Sequence, residues 1–183
     1  MDNNRKWQVI DSQYLAKEPW FTVRKERILL PTGNIIPEYY IYEYPDWVNV
    51  IAITKDNKFV MVRQYRHGIG ETYMELPAGV CEKGEAPVVS AQRELLEETG
   101  YGNGEWQLLT ETSANPSTHT NITHCYLAIG VEKVSEQHLE PSEDLSVHLL
   151  SVDEIRELLL NDQIKQSMHA VPLWKYMALN KLI

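Results

Sequence analysis

Along this chain, apolar and polar residues alternate in short runs more often than they recur at helical spacing. The pattern predicts a strand-rich fold with few helices. A short strand is expected at Trp7–Ile10. WFTVRKERILL (20–30) has the aromatic and β-branched content of a strand, PTGN (31–34) is a turn signal, and IIPEYYIYEY (35–44) reads as the returning arm of a hairpin. WVNVIAI (47–53) is a continuous apolar run of the buried-strand type, KDNK (55–58) a turn, and FVMVRQYR (59–66) a second strand. After the polar loop HGIGE (67–71), YMELPAGV (73–80) leads to the first helical pattern. Further strands are expected at Trp106–Thr112, Thr123–Gly130 and Leu145–Leu150.

Helical spacing appears three times. One helix follows Gly84, with Pro87, a residue tolerated there, in its first turn, and Gly100, Gly102 and Gly104 end it. A second spans Val152–Asn161 with Ser151 as N-cap, and a third covers roughly 167–182, including Pro172. On the first helix, Glu94, Glu97 and Glu98 share an arc of roughly 100°. Val88, Val89, Leu95 and Leu96 fall opposite and are the expected docking face. Three carboxylates at this spacing repel by about 0.2–0.5 kcal/mol per pair, and the helix C-terminus adds its own negative end. One reading is a solvated acidic face. The other is a site for a hard divalent cation, which takes oxygen ligands from a few carboxylates, water and substrate phosphates.

The surrounding spacing separates the two. Gly79, five residues, Glu85, seven residues, then Arg93-Glu94-Leu95-x-Glu97-Glu98-x-Gly100 resembles the signature of the Nudix hydrolases. Tyr101 departs from it, standing where an aliphatic residue is commoner. The resemblance implies an α/β/α sandwich around a mixed β-sheet, here with an N-terminal β-hairpin extension. It also implies hydrolysis of a nucleoside diphosphate linked to another moiety, with Mg²⁺, or Mn²⁺, on the pyrophosphate. Carried over by position, Glu94 and Glu98 are the principal metal ligands, Glu97 a further ligand and the Ala78 carbonyl a backbone ligand. Gly79 suits close approach of the main chain. Glu85 and Arg93 take structural roles, Arg93 balancing the neighbouring carboxylates.

RQYR (63–66) followed by ELPAG (75–79) is similar to the ADP-ribose pyrophosphatase branch. The resemblance implies that Arg66 contacts substrate, since guanidinium matches phosphate geometry. Arg63, three residues away, faces the other side of a regular strand and is either a further contact or a surface arginine. Glu75 is either a substrate contact or a support for one. Pro116 marks the branch at the expected distance beyond the motif. There the chain departs from the family, with Ser117 and Asn121 where glycine and an acidic residue are common. That leaves the terminal-ribose contacts open, with Thr118 and His119 as replacements. The general base is expected in the acidic loop before the last strand, Glu143 first and Glu140 second, with Glu97 as the alternative. Trp20, Tyr40 and Trp47 have faces suited to an adenine. The resemblance further implies that residues 1–45 form a dimerisation element of a homodimer, ahead of a hydrolase domain at 46–183.

Composition narrows the partners. A net charge of −9 over 183 residues provides no basic stripe for nucleic acid, yet metal ions allow an acidic protein to take an anionic small molecule. MDNNRKWQVI has no apolar leader core, and no apolar run reaches membrane-spanning length, so a cytoplasmic protein without membrane contact is expected. Cys81 and Cys125 lack metal-ligand spacing and are expected as free thiols. Other Nudix substrates, such as a dinucleotide or a non-adenine nucleotide sugar, stay open at this point. So does a sensor that binds a nucleotide sugar without cleaving it. A purely structural domain would leave the glutamate cluster unexplained.

Overall fold

A computed structural model of the protein describes residues 5–183, so the first four residues of the region 1–45 fall outside it. The chain forms two compact units. One ends at Pro45 and includes Asn115–Asn121; the other comprises Asp46–Ala114 and Ile122–Ile183.

The first unit is a three-stranded antiparallel sheet of β1 (Gln8–Glu18), β2 (Phe21–Leu29) and β3 (Ile35–Glu43). The expected hairpin is therefore only part of it, and the expected short strand at Trp7–Ile10 is the start of a strand of 11 residues. Asp11, Ser12 and Gln13 break the apolar alternation that would have marked its length. Backbone pairing to β2 carries the strand through, with register irregularities at Val9/Asp11 and Tyr14/Ala16. Among the described residues, the buried apolar side chains of this unit are Val23 and Ile28, beside a buried Glu26 whose carboxylate accepts from Arg24 Nε at 2.6 Å. Arg24 also pairs with Glu43. Segment 115–121 is tied to β3, with Tyr42 N donating to the Thr118 carbonyl at 2.8 Å and the Tyr39 hydroxyl to that of Ser117 at 2.6 Å.

The second unit opens with β4 (Trp47–Thr54), β5 (Phe59–Arg66), β6 (Glu71–Glu75) and β7 (Ala78–Val80), followed by helix α1 (Pro87–Thr99). Then come β8 (Tyr101–Gly102), β9 (Glu105–Thr112), β10 (Thr123–Lys133), β11 (Leu145–Leu150), α2 (Val152–Leu160) and α3 (Ser167–Leu179). All eight strands join one sheet along the path β11-β5-β4-β10-β8, with β6 on β5, β7 on β4 and β9 on β10. β4 and β10 run parallel and the other pairs antiparallel, so the sheet is mixed.

Alternation along β4 sorts the core into two layers. Val48, Val50 and Ala52 pack with Val60, Ala128, Ala91 and Leu95 beneath α1. Ile51 and Ile53 pack with Met61, Leu127, Ile155, Leu173 and Met177 beneath α2 and α3. Helices therefore cover both faces, as the α/β/α expectation requires.

Helix termini follow local chemistry. α1 starts with Pro87 in its first turn and ends at Gly100, whose φ of 72° is left-handed. Ser151 caps α2 in a reciprocal capping box with Glu154, an arrangement worth about 1 kcal/mol. Pro172, inside α3, has no N–H for the carbonyl four residues earlier. That carbonyl belongs to Met168, and the buried Asn49 amide from β4 donates to it at 2.5 Å. The helix thus tolerates its proline because the sheet supplies the missing donor.

The expected docking face of α1 is corrected in part: Val88 and Leu95 pack against the core as expected. Its buried side is Ser90, Ala91, Glu94, Leu95, Glu98 and Thr99, whereas Val89 and Leu96 are exposed. The positions 91, 94, 95 and 98 form one stripe at helical spacing, so Glu94 and Glu98 share the face that meets the sheet. Sorting residues by polarity alone had put them on the opposite side.

Candidate active site

β7 brings the motif loop against the sheet. Asn49 of β4 pairs with Ala78, and Val48 with Gly79, so the glycine lies directly beside the glutamates of α1. A Cβ at position 79 would sit 2.0–2.3 Å from the carboxylate atoms of Glu94, so any side chain there would drive that carboxylate away. Glu98 Oε2 accepts from Ala78 N at 2.9 Å. Glycine, helix and strand together hold two buried carboxylates at one spot.

Arg93 ties the cluster together. Its Nη1 donates to Glu94 Oε1 at 2.9 Å and Glu97 Oε2 at 3.0 Å, and its Nη2 to Glu85 Oε2 and the Val80 carbonyl, both at 3.1 Å. Ser90 Oγ also donates to Glu85, at 2.6 Å. Burial opposes the Arg93 charge, but its bonds to Glu85, Glu94 and Glu97 outweigh this and hold its pKa above the ordinary value. Glu85 and Arg93 thus lock the loop to the helix.

The two buried carboxylates lack enough positive charge. Burial is the main cause that raises the Glu98 pKa to about 8, and the charges of Glu94 and Glu143 add to it, against the Ala78 N–H and Arg66. Burial also raises Glu94, although Arg93 opposes it. A hard divalent cation suits this donor set, since it takes oxygen ligands, two of them buried here, and its charge offsets their excess of negative charge. Among the described residues, no three His, Cys, Asp or Glu side chains converge as a ready cage. Glu97 is more open, with 43% of its side chain exposed, and leans towards Arg93.

Beside this cluster runs a cleft lined by Trp47, Arg66, Ala78, Gly79, Val80, Gln166, Met168 and His169. Glu75 is 2% exposed and grips Arg66 there. Arg66 Nε lies 3.0 and 3.1 Å from its two oxygens, and Nη2 lies 2.5 Å from Oε2. Glu75 therefore lies buried with its carboxylate paired to Arg66. Burial is the largest influence on its carboxyl and pushes it up, but the combined bonds to His169 and Arg66 hold the pKa at about 2, against 4.5 ordinarily. A depressed carboxyl contributes stability above its unfolded pKa and loses it as pH falls towards the folded value. The gap in Tm between wild type and Glu75→Gln is therefore expected to be widest above pH 4.5 and to close towards pH 2. A gap that stays constant across that range would contradict this reading.

The remaining candidates separate. Arg63 is exposed and lines a different groove with Glu71, Leu158 and Asn161. Pro116 lies in the first unit and borders a groove with Trp7, Glu26, Tyr39 and Ser117. Trp20 is 70% exposed in the β1–β2 turn, and the Tyr40 hydroxyl is engaged by Glu38 at 3.0 Å, so of the three aromatic candidates Trp47 is the one in the cleft.

The acidic loop is anchored to the end of α1. Gln137 Nε2 donates to the Glu98 carbonyl at 2.7 Å, His138 N to that of Glu97 at 2.9 Å, and Val134 N to that of Gly100 at 2.9 Å. Further along, Glu143 N donates to the Glu140 carbonyl and Glu140 N to the Glu143 carboxylate, closing a tight turn. Half-buried Glu143 is near enough to raise the pKa of Glu98, and Glu140 is exposed. Gln166, Met168 and His169 carried no sequence signal, because IKQSMHAV reads as an ordinary helix start. Only burial and orphaned polar atoms reveal them.

Comparison with known proteins finds matches along most of the chain. The NUDIX domain model matches residues 44–171, and the nucleoside diphosphate sugar hydrolase N-terminal domain model matches 7–42. A methanol dehydrogenase activator of Bacillus methanolicus is 36% identical, covering 84% of this chain and 83% of its own. An ADP-ribose pyrophosphatase of Bacillus subtilis is 34% identical (85% and 83%), and one of Mycobacterium tuberculosis 30% identical (88% and 79%). The crystal structure of an ADP compounds hydrolase superposes with a TM-score of 0.84 at 22% identity, over 96% of this chain and 95% of that one, a likeness of fold.

Proposed function

The chain belongs to the Nudix family, and from that premise we propose that it is a divalent-metal-dependent pyrophosphohydrolase of ADP-ribose or a related nucleoside diphosphate sugar. The products are a nucleoside monophosphate and a sugar phosphate, which for ADP-ribose are AMP and ribose 5-phosphate. One observation carries this reading: the buried Glu94–Glu98 pair held against Gly79 and Ala78, short of positive charge. Relatives named as ADP-ribose pyrophosphatases support the choice of substrate class.

Mg²⁺ is the favoured ion, and Mn²⁺ suits the same oxygens. Glu94, Glu98 and the Ala78 carbonyl would hold it, with Glu97 as a further ligand. When bound, the ion neutralises the crowded pyrophosphate charge and polarises phosphorus towards water. Arg66, fixed by Glu75, binds a substrate phosphate in the cleft, and Trp47 offers an aromatic wall to one arm of the substrate. Glu143 is the general base that takes the proton of the attacking water, and it outranks Glu140 because it is the loop carboxylate that Glu98 senses. The reading places the enzyme in the cytoplasm.

The N-terminal sheet supports a homodimer. Trp7, Val9, Tyr14, Leu15, Phe21 and Ile35 are large apolar or aromatic side chains exposed on one small unit, more than a solvated sheet needs. The full-length chain is expected to sediment as a dimer at micromolar concentration, and removal of residues 1–44 to give monomer or insoluble protein. A monomeric full-length species would refute the dimer.

The substrate reading is tested with nucleoside diphosphate sugars, dinucleotides and nucleoside triphosphates in Mg²⁺, coupled to a phosphatase that reports the monophosphate products. Highest kcat/KM on a nucleoside diphosphate sugar is expected. Preference for a dinucleotide or triphosphate would overturn the assignment within the family.

A further inference from the structure

We propose that His169 is a positioning residue for Arg66: through Glu75 it sets the guanidinium at the angle at which a substrate phosphate is bound. The inference rests on the reading of Arg66 as a phosphate ligand and adds α3 to the recognition machinery. Three elements meet at this point, with Arg66 ending β5, Glu75 ending β6 and His169 in the first turn of α3.

His169 is 0% exposed, and its Nε2 lies 3.5 Å from Glu75 Oε2 and 3.2 Å from Gln166 Oε1. The Gln166 amide is oriented by its own Nε2, which donates to Met168 Sδ at 3.0 Å, so its oxygen faces the ring. Two acceptors therefore face one ring nitrogen, and Nε2 must carry hydrogen to meet them. Nδ1 is buried without a partner, which is tolerable for a lone pair and costly for an N–H. The single N–H thus lies between Gln166 Oε1, the nearer acceptor, and Glu75 Oε2, the farther one.

Glu75 passes the constraint on. Its two oxygens hold the Nε–Nη2 edge of Arg66, at distances down to 2.5 Å, which leaves the Nη1 side of the fork for an anion in the cleft. Without His169, the carboxylate keeps Arg66 but loses the donor that fixes its own rotation, and the guanidinium swings with it. Loss of one hydrogen bond to a charged group corresponds to about 10-fold or more in binding.

The test uses four single variants of the full-length enzyme with ADP-ribose in Mg²⁺. His169→Leu removes the donor at similar size. His169→Gln returns an amide N–H near the Nε2 position, and His169→Asn is too short to reach it. Arg66→Ala removes the group being positioned. KM is expected to rise about 10-fold in the Leu and Asn variants, with kcat changed about threefold or less, and to return close to wild type in the Gln variant. Combining His169→Leu with Arg66→Ala should raise KM no further than Arg66→Ala alone, because both act on one contact. Additive effects in that cycle, or equal behaviour of the Gln and Asn variants, would overturn the proposal. Should the Leu variant fail to fold, His169→Asn with Arg66→Ala completes the same cycle. Failure of the wild type on every nucleoside diphosphate sugar would instead strike the functional reading, and is seen before any variant is compared.

Discussion

Glu98→Gln is expected to abolish most activity, by about 100-fold or more, while the protein stays folded. Groups that merely support a metal ligand cost 10–100-fold when lost, and this substitution removes an anionic ligand itself. Folding should not suffer. The Glu98 carboxyl is buried and its pKa is pushed up to about 8, so the site without metal already favours a neutral group. An amide oxygen can still accept from Ala78 N as the carboxylate does. Thermal unfolding separates the two effects. Millimolar Mg²⁺ should raise the wild-type Tm by mass action and leave the variant unmoved, with the variant's own metal-free Tm no lower than that of wild type. Near-wild-type turnover at saturating Mg²⁺ would remove Glu98 from the metal site.

Glu143→Gln is the second large effect and should fail in a different way. Loss of a general base typically lowers kcat by about 10²–10⁴-fold. Uniform binding contacts remain, so KM and the Mg²⁺ requirement should stay near wild type. Glu94→Gln makes the contrast, since weakened metal binding is partly recovered at high Mg²⁺. Glu140→Gln belongs in the same series. The two loop carboxylates sit in one turn closed by hydrogen bonds between them, and changing Glu140 controls for disturbance of that turn. Full activity in both loop variants would move the base elsewhere, with Glu97 next, because it is the most open carboxylate of the α1 cluster.

Much of the candidate site could be read from the sequence because its spacing is local. Gly79 to Gly100 is one loop and one helix, so the order of residues nearly fixes which groups meet. The strands at 59–66 and 145–150 were also legible, as each is a compact apolar or alternating run bounded by polar turns. β1 was not, because polar residues interrupt its alternation and its pairing partner lies across a turn. The docking face of α1 was misread for a related reason. Polarity sorts Glu94 and Glu98 towards solvent, whereas the fold buries them against the strand that carries Gly79.

What the sequence hid was long-range. Asn49 serving the Met168 carbonyl spans 119 positions. No pattern within α3 shows that the helix is possible with Pro172 because β4 provides a donor. The pairing of Glu75 with His169 is similar, since each residue reads locally as an ordinary member of a strand or a helix. Glu75 is visible as a candidate through ELPAG, but nothing local shows that it is buried and paired with Arg66.

The central claim is that this carboxylate cluster directs metal-dependent cleavage of a nucleoside diphosphate sugar at its pyrophosphate. Its most direct test is chromatographic separation of the products of ADP-ribose after incubation with purified protein, with Mg²⁺ and with excess chelator. The account predicts AMP and ribose 5-phosphate in equal amounts with Mg²⁺, and intact ADP-ribose with chelator. Unchanged substrate in the presence of either Mg²⁺ or Mn²⁺, or the same products with chelator, would contradict it.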